Sequence, residues 1–237
     1  MSWLGIDTSG AVAVCVATER DGGLQARVET LDEPRRHAER LAPMIERLLA
    51  EEGVDRTQVR GIAVGTGPAP FTGLRAGLVT ARVLGLALGV PVRGVPSPDA
   101  LAAAAAAGVD GSAAMADGTP LLVVADARRR EVYWARYEVR DGTAVPTAAP
   151  AVAAPADVPR TPDDVVLGTG RDLYADVFGP VDPRVAPHEP RLRHPDPSWL
   201  VRLAVAREAA GLPQPTDPLY LRRPDAVPPT AGKRVLA

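Results

Sequence analysis

Lysine and cysteine are almost missing from these 237 residues, and their scarcity removes several kinds of chemistry at once. Lys233 is the only lysine; every other basic side chain is Arg. A Walker A loop needs a Lys directly after its last Gly to reach the phosphates of a nucleotide. The one Gly-Lys pair, Gly232-Lys233, has no Gly five residues before it, so P-loop ATPase chemistry is excluded. Cys15 is the single cysteine, which excludes an internal disulfide and a Cys-based zinc cluster and suits a reducing, cytoplasmic setting. The three histidines, His37, His188 and His194, lack the i, i+4 spacing of paired helical ligands, so no metal site is expected. Aromatics make up only 4%, and the interior must be filled by Ala, Val and Leu. The first residues carry no basic n-region and reach Asp7 early, so a secretory leader is not expected there. The longest Ala-rich apolar run, residues 101–109, is too short to span a bilayer, and no membrane partner is expected.

What is present describes a folded α/β chain. Apolar residues are 46% of the total, enough for a sizeable core. The net charge of −2 argues against a protein that grips nucleic acid through a broad basic face, so any link to RNA is expected to be indirect. The use of Arg for Lys, with abundant Ala and Pro, reads as base composition rather than function.

Along the chain, residues 3–6, 11–18 and 24–31 read as three strands joined by polar or Gly-rich turns. Leu41, Met44, Ile45, Leu48 and Leu49 recur at helical spacing, with Pro43 inside the pattern and Gly53 ending it. Pro43 predicts a kink or a late helix start. Residues 59–64 read as a buried strand, 65–73 as a Gly/Pro loop, 74–88 as a helix ending near Gly89, and 91–95 as a strand. Ser97-Pro98 fits an N-cap with Pro at the first helical position, opening a helix to about Ala107. The order is βββαβαβα. Residues 108–120 read as a linker, and residues 121–125 and 132–137 as strands that begin a second sheet. Residues 143–162, with five prolines, read as loop or irregular edge. A short strand at 165–168 and a helix at 197–210 follow, and residues 211–237 read as a Pro-rich surface segment with a frayed end.

Two stretches are candidates for chemistry. The turn Asp7-Thr8-Ser9-Gly10 could present backbone N–H groups to a phosphate, with Asp7 organising a metal or water; it could equally be a hairpin turn whose Asp and Ser satisfy local backbone groups. The loop from Gly65 to Arg75 leaves a strand and opens a helix, a place that favours anions. It could also be a rigid connection anchored in the core by Phe71. The helix through Leu41, Met44, Ile45 and Leu48 is core by default, but Ala38, Ala42 and Leu49 broaden its apolar surface and Arg36, Arg40 and Arg47 cover the remainder. A second, partner-facing side is the alternative.

Leu4-Gly5-Ile6-Asp7-Thr8-Ser9 resembles the opening strand of the actin/sugar-kinase/heat-shock ATPase superfamily. The segment from Arg36 to Ile45 resembles the TsaB (YeaZ) signature in which a His precedes a Leu-x-Pro helix. Residues 63–68 with 71–77 are similar to that family's GPGSFTGLRIG segment, Asp126 to Tyr133 to its DARRGEVY strand pair, and Pro218-Leu219-Tyr220-Leu221-Arg222 to its C-terminal P-x-YLR. Ala69-Pro70 stand where Gly-Ser is usual and stiffen the loop. Arg130 stands where Gly is usual and makes a tight turn less comfortable.

The resemblance implies an α/β, two-lobed actin-like (ribonuclease H-like) fold with mixed sheets and covering helices. Lobe one is expected near residues 1–107 and lobe two near 108–210, with 211–237 packing back on lobe one. It implies a non-catalytic paralogue of TsaD, the transferase that moves threonylcarbamoyl from its adenylate to N6 of adenosine 37 in tRNAs reading codons that begin with A. No catalytic residue, metal or cofactor is then expected. The expected partners are a TsaD-like transferase and a TsaE-like P-loop ATPase, with a monomer or a homodimer as the assembly of the chain alone and tRNA reached only indirectly. The expected partner surface is Leu41, Met44, Ile45, Leu48, Leu74, Leu78 and Arg82. The expected nucleotide or anion contacts are Asp7, Thr8, Ser9, Thr72 and Gly73. The competing reading is a stand-alone small-molecule kinase or transferase, which would need Gly-Gly phosphate loops in both lobes; Asp126-Ala127-Arg128 takes that place in the second. A metalloprotease, the family's former label, lacks a paired His site.

Overall fold

A computed structural model of the chain describes residues 1–20, 22–32, 37–108, 113–185 and 190–222, without the side chains of residues 37 and 38. Arg36, His188 and the tail after Arg222 lie outside the described residues, as do the side chains of His37 and Ala38.

The first sheet grows around β1 (Ser2–Asp7), buried along its whole length. β2 (Val12–Arg20) folds back antiparallel to it, and β3 (Gly23–Leu31) pairs antiparallel with β2. On the other side β4 (Val59–Gly65) and β5 (Val92–Val95) add in parallel, giving the order β3-β2-β1-β4-β5. The parallel members need crossover connections, which α1 (His37–Glu51) and α2 (Phe71–Leu88) supply. These helices lie side by side, α1 against β2 and α2 against β4. Gly89, in a left-handed conformation, ends α2 where the periodic pattern stops. α2 has the length and apolar composition to cross a membrane. Its Leu74, Gly77, Leu78, Ala81 and Gly85 are nonetheless buried within this domain.

The second sheet has the order β10-β6-β7-β8, from β6 (Pro120–Asp126), β7 (Val132–Arg140), β8 (Thr143–Pro146) and β10 (Val165–Leu167), with β9 (Ala151–Ala153) also on β7. Residues 143–162 thus carry two short strands that five prolines obscure in the sequence. The short helices α4 (Thr169–Leu173) and α5 (Ala175–Phe178) follow β10. Two helices join the sheets: α3 (Ser97–Ala107) packs on β6, β7 and β8, and α6 (Pro197–Ala209) packs on β1, β2 and β4, while α3 and α6 pack on each other. A division at residue 107 therefore misplaces both helices. α3 follows the first sheet in sequence but lies on the second, and α6 does the reverse.

Three sequence expectations need correction. Ser97 does not cap α3; Pro96 holds that position, and the Ser97 hydroxyl is engaged elsewhere. Phe71 does not anchor in the core but stacks on Tyr220, with ring centroids 4.3 Å apart. Leu41, Met44, Ile45, Leu48, Leu74 and Leu78 are all buried in the chain's own core, together with Leu4, Ile62 and Val64. The α1 and α2 stripes face β2 and β4 and each other, so these six side chains offer no surface to a partner. Arg82 is exposed, but it holds the C-terminal segment through Thr216 and Asp217.

That segment, residues 212–222, returns over lobe one. Gly94 N–H donates to the Gln214 carbonyl at 3.2 Å and Leu219 N–H to the Thr66 carbonyl at 2.9 Å. Between the lobes, Asp99 on α3 accepts from the Tyr137 hydroxyl of β7 at 2.7 Å and from Arg207 of α6 at 2.6 Å. Burial first, and then Asp99, push the Tyr137 phenol well up, so it remains a donor. Asp99→Ala leaves a buried hydroxyl and a guanidinium without their acceptor, and an unmatched buried group costs about 1–3 kcal/mol. We expect a loss of that order in urea unfolding. Asp99→Ala combined with Tyr137→Phe should cost less than the two single changes added together, because the orphaned hydroxyl is then gone.

Candidate functional site

The cleft between the lobes is where the first two strands of the fold bring their connecting turn. It encloses about 550 Å3 and is lined by Thr8, Ser9 and Gly10 of that turn and by Pro70 to Gly73 at the start of α2. Asp126 and Arg128, Thr169 and Asp172, and Asp32, Arg193 and His194 complete it. Of the expected anion contacts, Thr8, Ser9, Thr72 and Gly73 meet here, while Asp7 lies beneath the lining, buried.

The turn is satisfied from within. Asp7 Oδ1 accepts from the Ser9 amide at 2.8 Å and the Ser9 hydroxyl at 2.6 Å. Asp7 Oδ2 accepts from the Ser97 hydroxyl at 2.6 Å, and Ser97 Oγ in turn accepts from Gly67 N–H at 3.2 Å. The Thr8 hydroxyl donates to the Gly73 carbonyl at 2.8 Å, tying the turn to α2. A Cβ at position 65 would collide with the Asp7 carboxylate and the Ser97 hydroxyl, so only Gly lets β4 pass so close. Burial raises the Asp7 carboxyl above its ordinary value, against the hydrogen bonds from Ser9 and Ser97 that lower it. Three donors thus engage this carboxylate, two on Oδ1 and one on Oδ2. The hairpin-turn reading of the Asp7 turn is the one this geometry favours.

His194 closes the turn from above. A Cβ on Gly10 would sit 2.9 Å from its Nδ1, and its Nε2 lies 3.6 Å from Asp32. Burial pushes the imidazole down, with Arg193 adding to this and Asp32 and Asp7 opposing it. Sequence reasoning missed His194, because nothing near it in the chain marks its approach to a turn some 180 residues away.

Across the cleft, the strand pair β6–β7 turns through Arg128, Arg129 and Arg130, all left-handed with φ of 62°, 55° and 62°. For residues bearing a Cβ this conformation costs roughly 1–2 kcal/mol each. The turn is held by Ala127 N–H to the Glu131 carbonyl at 3.0 Å, by Arg128 N–H to Asp126 at 2.7 Å, and by Arg222. Arg222 donates to the Ala127 carbonyl at 3.0 Å and pairs with Glu131. The discomfort expected of Arg130 is thus visible, and it extends over three residues. Among the described residues no cluster of three potential metal ligands occurs.

A two-lobed α/β fold with mixed sheets, covering helices and a polar cleft at their junction is the architecture of the actin-like, ribonuclease H-like superfamily. The sequence profile of the family described as TsaD: tRNA N6-adenosine threonylcarbamoyltransferase matches residues 32–167. An uncharacterized protein of Mycobacterium tuberculosis is 42% identical over 226 residues, covering 95% of this chain and 93% of that protein. The tRNA threonylcarbamoyladenosine biosynthesis protein TsaB of Bacillus subtilis is 28% identical, covering 95% and 96%. A crystal structure from Pseudomonas aeruginosa, described as similar to peptidase YeaZ, superposes with a TM-score of 0.73 at 30% identity, covering 93% of this chain and 99% of that one. The chain belongs to the TsaB (YeaZ) family.

The raised Asp7 value has a measurable sign. The folded chain holds that proton more tightly than the unfolded chain does. The contribution to stability is therefore complete below the ordinary value of 3.8 and is lost as pH rises through the folded value. Asp7→Asn keeps an acceptor for Ser9 and removes the buried charge. Its stability relative to the parent should rise with pH across that window and match or exceed the parent at neutral pH, as read by urea unfolding at several pH values. A variant that loses stability at neutral pH would show that the charge itself holds the turn.

Proposed function

We propose that this protein is a cytosolic, non-catalytic subunit required for threonylcarbamoylation of N6 of adenosine 37 in tRNAs reading codons that begin with A. It acts by binding a TsaD-like transferase together with a TsaE-like P-loop ATPase. The observation that carries this reading is the self-satisfied turn of the first lobe: Asp7, Thr8 and Ser9 spend their polar atoms on one another, on Gly73 and on Ser97. His194 covers the same turn, and arginines occupy the place where a kinase of this fold would carry a second Gly-rich phosphate loop. A chain built so has little use for nucleotide chemistry of its own and retains its fold for contact.

The contact face we propose is the outer side of α2. Val79 is 59% exposed, Val83 58% and Leu86 86%, one continuous stripe at i, i+4 and i+7 that nothing among the described residues covers. It replaces the buried leucines as the apolar surface offered to the transferase, with Arg82 at its edge.

Two measurements test this. Mass spectrometry of tRNA nucleosides after depletion of the protein should show less of the modification in tRNAs for A-starting codons; unchanged levels would remove the assignment. In titrations against the transferase, Val83→Glu should weaken association by about tenfold or more, since about 1.4 kcal/mol is tenfold and a charge placed in a dry contact costs at least that. The melting temperature of Val83→Glu alone should stay close to the parent's. Leu41→Glu, which places a charge in the core, should instead fail to fold. Wild-type affinity of Val83→Glu would exclude the outer face of α2.

A further inference from the structure

The net charge of −2 describes the chain as a whole and hides one surface of the opposite sign. Arg128, Arg129 and Arg130 are exposed at the tip of the β6–β7 turn, held in left-handed backbone that side chains rarely adopt. The C-terminal segment crosses from lobe one to this turn, where Arg222 grips the Ala127 carbonyl and Glu131. Two residues earlier Tyr220 stacks on Phe71 with an interplanar angle of 21°, and Arg75 lies over both rings, 5.1 and 5.7 Å from their centroids. The Arg75 Nε–H also donates to the Tyr220 hydroxyl at 2.9 Å.

Turn, segment and helix start therefore form one continuous rim of the cleft. It carries five guanidinium groups, Arg75, Arg128, Arg129, Arg130 and Arg222, against the carboxylates of Asp126 and Glu131. Tyr220 is still 38% exposed within it.

We infer that this rim is a direct RNA contact. Guanidinium groups match phosphate oxygens in a planar, two-pronged geometry, and an aromatic ring already stacked on one side is a preorganised platform for an unpaired base. An acidic polypeptide would use the charges but not the ring. Strain kept in three successive residues is a mark of a segment shaped for contact, and although Arg128 pairs with Asp126 and Arg222 with Glu131, the rim holds more guanidinium groups than carboxylates. The inference deepens the proposed role, and rests on it for the choice of RNA: the subunit would touch the tRNA itself and not only the transferase, contrary to what net charge suggests.

The test uses the full chain and an unmodified tRNA transcript, titrated by fluorescence anisotropy between about 50 and 200 mM salt, a range over which phosphate contacts weaken steeply. Arg129→Gly with Arg130→Gly removes two charges while supplying the residue that best adopts left-handed backbone, so the variant should melt no lower than the parent. It should bind the transcript several-fold more weakly and lower the logarithmic salt slope by about 1.5, as expected for two lost phosphate contacts. Tyr220→Ala should weaken binding with the slope unchanged, and Tyr220→Trp should restore it. Equal affinity and slope for the glycine variant, or no binding by the parent, would overturn the contact. Poly-glutamate competing as well as single-stranded RNA would overturn the RNA assignment in favour of an acidic protein. Failure here, with depletion still lowering the modification, would leave the proposed role standing. Patch-dependent binding with unchanged modification would do the reverse.

Discussion

The hydrogen bond from the Ser97 hydroxyl to Asp7 is the point on which both lobes depend. Asp7 ends the central strand of the first sheet, and Ser97 begins the helix that packs on the second. A buried carboxylate without partners would be expelled or neutralised; here three donors hold it, and each comes from a segment that must be in register for the bond to form. Ser9 fixes the β1–β2 turn, Ser97 fixes the start of α3, and Gly65 leaves room for β4 beside both. The same geometry consumes the polar atoms that a phosphate would otherwise meet.

Between the lobes the chain solves a packing problem without large aromatic groups. Every residue from Ser97 to Ala106 is buried, and most are alanine. Helices with small faces approach closely, so α3 can lie against α6 and the second sheet at once, and dispersion over many short contacts replaces a few large side chains. The cost is that little specificity comes from shape. It is supplied instead by Asp99, whose carboxylate joins α3, β7 and α6. A polar triad in an otherwise featureless layer sets which way the lobes face.

Much of this was legible in the sequence. The order of strands and helices in the first half follows from runs such as residues 59–64 and from the stop at Gly89, because periodicity and local turn chemistry are local properties. The halves that were misread are non-local. Leu41 and Leu78 look like surface candidates on helices with broad apolar faces; which stripe turns inward is decided by the neighbouring helix and sheet, and that left Val79, Val83 and Leu86 outside. Ser97 reads as a cap because Ser before Pro usually is one, and only the distant Asp7 gives its hydroxyl a better partner. The strands within residues 143–162 are short and broken by proline, so they carry almost no alternation to detect. For the site, Asp7, Thr8, Ser9, Thr72 and Gly73 were visible as a motif, while His194 and the crossing of Arg222 to Ala127 were not, since each joins segments more than ninety residues apart.

The C-terminal segment shows how such distant joins give the cleft its character. It has no regular secondary structure, yet it bonds to β5 through Gln214 and to the loop after β4 through Thr66. Arg75 and Arg82 of α2 hold Tyr220 and Thr216, seven residues apart on one helical side, and Arg222 then reaches the other lobe. A segment fastened at so many points resists changes in the angle between the lobes. In a kinase of this architecture that angle must change as substrates bind and leave. Here the segment ties the two lobes at several points. Under the role proposed above, such fastening would leave little ordering entropy to be lost when the transferase binds.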